Sequence, residues 1–238
     1  MNGHYLASQI RYFARPITAF REYAMRDVLP AFGNIDERAT QVGNDYYQRI
    51  GSQPACEDDI IDMADVAEVA EDRARDWWEM MTSLRQSMLN LMAAGLFHLV
   101  EQQLARVSHD ALFNGPVKDS KLSDVERWYR QNANIDLTGL PSWRQIDEMR
   151  LVANTIKHGE GGSAGELKQL RPDLFADPSL KWLHDAEGLS MLERMAVPRM
   201  AAPLSGDDFF VTEDILRTYA ESAEAFLEEL AQEFIKQG

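Results

Sequence analysis

Arg150, Asn154, Lys157 and His158 recur along the stretch Trp143 to His158 at steps of four, three and one residues. On a helical wheel of roughly 100° per residue, with Ile146 as zero, they fall between about +20° and +120°. The apolar residues Val152, Ile156, Met149, Ala153 and Ile146 take the adjoining arc, roughly −120° to 0°. A polar stripe beside a buried face is where a helix lines a groove. The residue types suit metal-free phosphodiester cleavage, which needs a base near neutral pH and positive charge on the developing phosphorane. His158 would be the general acid or base, Arg150 and Lys157 would stabilise phosphate, and Asn154 would orient His158 or the scissile phosphate. That chemistry calls for no metal and no cofactor. Gly159, Gly161 and Gly162 follow at once and permit close backbone approach. The same residues also have a structural reading. Arg150 and Lys157 would pair with acids on a neighbouring helix, Asn154 would bond in the core, and Lys157-His158 would complement a helix C-terminus.

Other groups carry weaker signals. His109-Asp110 and His184-Asp185 have the dipeptide of metal-dependent phosphohydrolases, a chemistry that needs further ligands from several helices. Asp58, Asp59, Asp62 and Asp65 are better explained as an acidic first turn than as a cation site. His98 reads as a hydrogen-bonded core or interface residue. Trp77-Trp78, Met80, Met81, Met88 and Met92 suggest an adaptable binding surface, but this spacing is more often core. The mixture Arg11-Tyr12-Phe13, Arg15, Phe20-Arg21 and Tyr23 fits single-strand binding and, equally, an amphipathic helix on a bundle. Cys56 is the only cysteine, which excludes an internal disulfide framework, and the acids after it disfavour its thiolate.

The elements that must hold these residues are helical throughout. The first helix is expected from about Tyr5 to Val28, kinked or divided at Pro16, and the second from Asn34 to Ile50. Glu57 to Val107 has no proline, and Trp77, Met81, Leu84, Met88, Met92, Leu96 and Leu99 recur at three- and four-residue steps. Apolar residues cover over half its circumference, which predicts a central pillar buried on more than one side. Capping patterns at Ser123/Glu126, Ser142 and Ser163/Glu166 open three shorter helices, and Thr212 caps a final one from Glu213 to Lys236. A short β-hairpin is expected near residues 194–211, where Pro198, Pro203 and Gly206 precede Asp207-Asp208-Phe209-Phe210-Val211. The fold class is therefore all-α, a helical bundle around one long helix. One domain, 1–238, comprises N-terminal helices (1–56), a core (57–170), and the hairpin with the C-terminal helix (171–238).

The chain has 238 residues, 45% of them hydrophobic, with a net charge of −15. That balance belongs to a folded protein and lowers non-specific affinity for nucleic acid, which depends on neutralising phosphates. No stretch approaches the roughly 20 apolar residues of a membrane helix, and Met1 to Ile10 lacks a secretory pattern. A cytoplasmic location and no membrane partner are expected.

A helix carrying Asn154-Thr155-Ile156-Lys157-His158-Gly159 behind a long helix, over about Asp72 to Leu170, resembles the HEPN superfamily. Members are helical bundles that often dimerise, and many are metal-independent endoribonucleases of toxin–antitoxin, CRISPR-associated and antiphage systems. Their motif is an Arg, usually a polar residue next, then a His after four to six residues. Asn154 and His158 fit its second half; Ala153 stands where the Arg is expected, and Arg150 lies about one turn back. The resemblance implies a ribonuclease with His158, Arg150, Asn154 and Lys157 at its site, RNA in a local basic groove, a homodimer, and a protein partner such as an antitoxin or regulator. The competing expectation is a non-catalytic helical interaction or regulatory module, which the acidic charge favours.

Overall fold

The computed structural model describes residues 3–53, 62–110, 121–178 and 208–237. Among them every regular element is helical. Helix α1 (Gly3–Tyr23) buries Leu6, Ile10, Phe13 and Ile17, a spacing of three and four that puts one face inward. Pro16 lies inside it without ending it. A π-helical turn (Ala24–Val28) and a 3-10 turn (Leu29–Phe32) follow, so the α-helix stops five residues short of the sequence expectation. Asn34, left-handed at φ 60°, then reverses the chain into α2 (Ile35–Gly51).

Helix α3 (Met63–Asp110) has 48 residues, a rod of roughly 70 Å. The Asp62 carboxylate accepts from the Ala64 N–H at 2.8 Å and opens it. Its first half pairs with α2, and its second half enters the bundle against α1, α5 and α7. After α4 (Leu122–Trp128) come α5 (Trp143–His158), α6 (Gly162–Leu170) and a 3-10 turn (Pro172–Phe175). The C-terminal helix α7 (Glu213–Gln237) starts where Thr212 Oγ1 accepts from the Ile215 N–H at 3.2 Å. Leu96 and Val100 of α3, Ile146 and Ile156 of α5, Ile10 of α1 and Phe226 of α7 have no exposed surface and meet in one core.

The hairpin expectation needs correcting where it can be compared. Residues 194–207 lie outside the described residues, and 208–212 form no strand. Phe209 and Val211 are nevertheless buried with Phe210 between them half-exposed, the alternation that suggested a strand. Side chains of α3 take the place of a neighbouring strand. Asn90 Nδ2 donates to the Phe209 carbonyl at 2.8 Å, and Asn90 Oδ1 accepts from the Val211 N–H at 3.2 Å. Gln86 Nε2 donates to the Val211 carbonyl at 3.0 Å, and the Phe210 N–H donates to the Leu174 carbonyl at 2.8 Å. Buried backbone polar groups must be paired, and here a helix surface pairs them.

Candidate functional site

Helix α5 is fixed at both ends and in its middle. At its start the Ser142 N–H and Oγ both donate to the Glu229 carboxylate of α7, at 3.0 and 2.7 Å. Ser142 thus bonds across the bundle and does not cap its own helix. In the middle, Glu148 accepts from Tyr219 Oη of α7 at 2.6 Å and pairs with Arg171. Burial, and then the bond to Glu148, push the Tyr219 phenol well above its ordinary range. At the end, Gly159 has φ 67° and donates to the Thr155 carbonyl at 2.8 Å. A side chain is strained in that conformation, so Gly159 serves the turn into α6.

Arg150 and Asn154 line a cleft of about 360 Å³ with Phe97 and Glu101 of α3, Asp147 of α5, and Lys121, Leu122, Ser123 and Glu126 at the start of α4. Arg150 Nε donates to Asp147 Oδ1 at 2.7 Å, three residues back on its own helix. The cleft therefore presents Glu101, Glu126 and Asp147 against Arg150 and Lys121. Burial, and then the charge of Asp147, raise the Glu126 carboxyl above the usual range. Lys157 and His158 are exposed and do not line this cleft. His158 lies one turn, roughly 6 Å, beyond Asn154 along α5. Among the described residues no hydrogen bond or ion pair holds Asn154, Lys157 or His158. The structure thus groups Arg150 with Asn154 and leaves Lys157 and His158 at the open end of the helix.

The structural alternative is met in part, since Arg150 pairs with an acid of α5 itself. Glu101 and Glu126 reach the cleft from other helices, and nothing in their local sequence marks them as its neighbours. His98 is exposed and bonds Glu101 Oε2 at 3.1 Å. His184, Asp58 and Asp59 lie outside the described residues, as do the side chains of His109 and Asp110. No group of three His, Cys, Asp or Glu among the described residues could hold a metal ion. No helix among them is long and apolar enough to cross a membrane.

Comparison of the chain with protein-family models, curated proteins and solved structures gives no match. The resemblance noted above rests on the residues of α5 alone.

A second feature was read from sequence as core. From Glu71 to Met88, five turns of α3, no residue is buried. Met80 is 57% exposed, Leu84 46% and Leu91 42%, with Trp77 and Met88 half-buried beside them. On the wheel Trp77, Met80, Leu84, Met88, Leu91 and Gly95 share an arc of roughly 80°. A Cβ placed on Gly95 would meet nothing within 4 Å. Helix α2 overlies the start of the same line, where Val66, Ala70 and Arg73 fall in this arc, and lies close enough that a Cβ on Gly43 would sit 2.9 Å from the Ala70 carbonyl oxygen. Trp78 Nε1 donates to Asp36 Oδ1 at 2.6 Å and ties the start of α2 to α3.

Proposed function

We propose that this chain is a non-catalytic helical interaction module that docks a helical partner along α3. The stripe of exposed Met80, Leu84 and Leu91, with half-buried Trp77 and Met88 beside them, carries this reading. Contiguous apolar surface of this kind on an otherwise charged molecule marks an interaction site. Its steps of three and four residues are those with which one helix packs on another. The cleft beside α5 adds support, because three carboxylates around Arg150 oppose a phosphate backbone. A photo-crosslinking amino acid in place of Leu84, irradiated in cells, should give one discrete adduct. The adduct should vanish when Leu91→Glu is added to the same chain. Absence of any adduct above the unirradiated background would sink the docking role.

A second reading is the metal-independent endoribonuclease of HEPN type, acting in a toxin or antiphage system. What favours it is the open end of α5, where exposed Lys157 and His158 stand one turn from Asn154. Purified protein would be incubated with labelled RNA in EDTA beside its His158→Ala variant. Cleavage by the unsubstituted chain alone would establish this activity; equal inertness of both would remove it.

A further inference from the structure

We infer that the partner docked along α3 is a basic amphipathic helix of another protein, its apolar face on Met80, Leu84 and Leu91 and its Lys or Arg side chains over Asp76 and Glu79; the inference rests on the docking role proposed above. Helix α2 begins at Ile35, and its Asp36 meets Trp78, so α3 from Met80 onward runs past the end of α2. Met80, Leu84 and Leu91 fall within roughly 40° of one another on the wheel and span about three turns, or about 17 Å. A strip of that length and one helix width presents on the order of 200 Å². Stable contacts between globular partners take about 800 Å² from each side. The strip therefore suits one short helix, which seats anchors at steps of three and four residues and gains its helicity on docking.

Charge states what that helix carries. Asp76 stands one turn before Met80, Glu79 lies beside it, and both are exposed. They lie well past the first turn of α3, beyond the reach of its dipole. Among the described residues neither has a hydrogen bond or an ion pair. The neighbouring cations are engaged elsewhere: Arg75 pairs with Asp72, Arg85 pairs with Glu213, and Arg73 lies over the Tyr46 ring at 4.3 Å. Two like charges three residues apart weaken their own helix, so these acids do nothing for the fold. A partner's Lys or Arg side chains, one turn beyond its apolar anchors, would neutralise both. The net charge of −15 draws such a helix in and repels an acidic one.

The test uses the full chain and two synthetic peptides of about 16 residues, roughly four turns. Both have leucines at steps of three and four; one carries lysines on the flank of that face, and its twin carries glutamates there. In fluorescence anisotropy the lysine peptide should bind about tenfold or more tightly than its twin. Asp76→Lys with Glu79→Lys should reverse that preference. Glu22→Lys with Glu166→Lys makes the same change in net charge elsewhere and should leave it within about threefold at physiological salt. Leu84→Glu should abolish binding of the lysine peptide with helicity and unfolding midpoint retained. Equal binding of the twins, or a preference that Asp76→Lys with Glu79→Lys leaves unmoved, would overturn the inference. In cells, a Leu84 photoadduct undiminished by the same two substitutions removes the basic helix and leaves the docking role standing. An adduct of twice the mass of the chain puts a second copy in its place. If no adduct forms, both fall.

Discussion

The two halves of α3 are built from the same residue types and end in opposite environments. In the second half Leu89, Leu96, Val100 and Leu104 are buried by α1, α5 and α7, and Asn90 carries the backbone of 209–211. Among the described residues, α2 is the α-helix packed alongside the first half, and it buries little beyond Val66, Ala70, Ala39 and Gly43. Leu96 and Leu84 are both leucines at heptad-like spacing; one has no exposed surface and the other is 46% exposed. Apolar character thus states a demand for cover, and the number of neighbouring helices decides whether it is met within one chain.

The sharpest way to break this contrast is to delete equivalent side chains on either side of it. Leu96→Ala should lower unfolding stability by about 2–5 kcal/mol through lost burial and a cavity. Leu84→Ala should cost the isolated chain no more than about 0.5 kcal/mol, as surface changes do. Equal losses in denaturant titrations would mean that α3 is uniformly buried.

Asn90→Ala comes next. It strands the Phe209 carbonyl and the Val211 N–H, and about 2–4 kcal/mol should be lost. Hydrogen exchange would speed up at Val211 with the bundle otherwise protected.

Gly43→Ala has a smaller effect, confined to the arm. The added methyl would meet the Ala70 carbonyl at 2.9 Å, and prising the two helices apart should cost about 1–2 kcal/mol net of the better helix former. Faster exchange in α2 and the first turns of α3, with α5 and α7 unchanged, would show that the arm opens independently.

The weakest perturbation is a surface pair inside the bundle half. Arg11 donates to Glu228 at 2.8 and 2.6 Å and, chiefly through that hydrogen bond, holds the carboxyl down at about 2. A depressed folded pKa contributes stability that is present above the unfolded carboxylate value and is lost as pH falls toward 2. NMR titration should find Glu228 restored toward the ordinary range in Arg11→Gln. An unchanged value would mean that the pair does not form in solution.

Periodicity made the helices legible. Trp143 to His158 is α5 to the residue, and the final helix differs by one residue at its end. Caps were less legible, because Ser142 answers to Glu229 of α7 and Asn34 turns the chain with its backbone. The strand pattern over 208–211 reported burial correctly and pairing wrongly, since period-two alternation says nothing of whether the partner is a strand or the side chains of a helix. Within the candidate site, the wheel placed Arg150 and Asn154 together. The acids Glu101 and Glu126 arrive from α3 and α4 through tertiary packing that no local pattern encodes. Burial of Met80 and Leu84 was misjudged for a related reason. An amphipathic wheel gives the width of an apolar arc and leaves open which molecule covers it.

The packing of α1 on α7 has a consequence in time. Arg11 and Glu228 stand 217 positions apart, and Gly3 lies so near α7 that a Cβ there would fall 2.0 Å from the Phe234 carbonyl oxygen. At about 5–20 residues per second, a ribosome needs on the order of 10–40 s to deliver the second helix after the first. Throughout that interval Leu6, Ile10 and Ile17 have no α7 to rest on. Helix α1 therefore has α3 but not α7 to pack on during that interval, and cotranslational folding of the bundle cannot finish until α7 emerges.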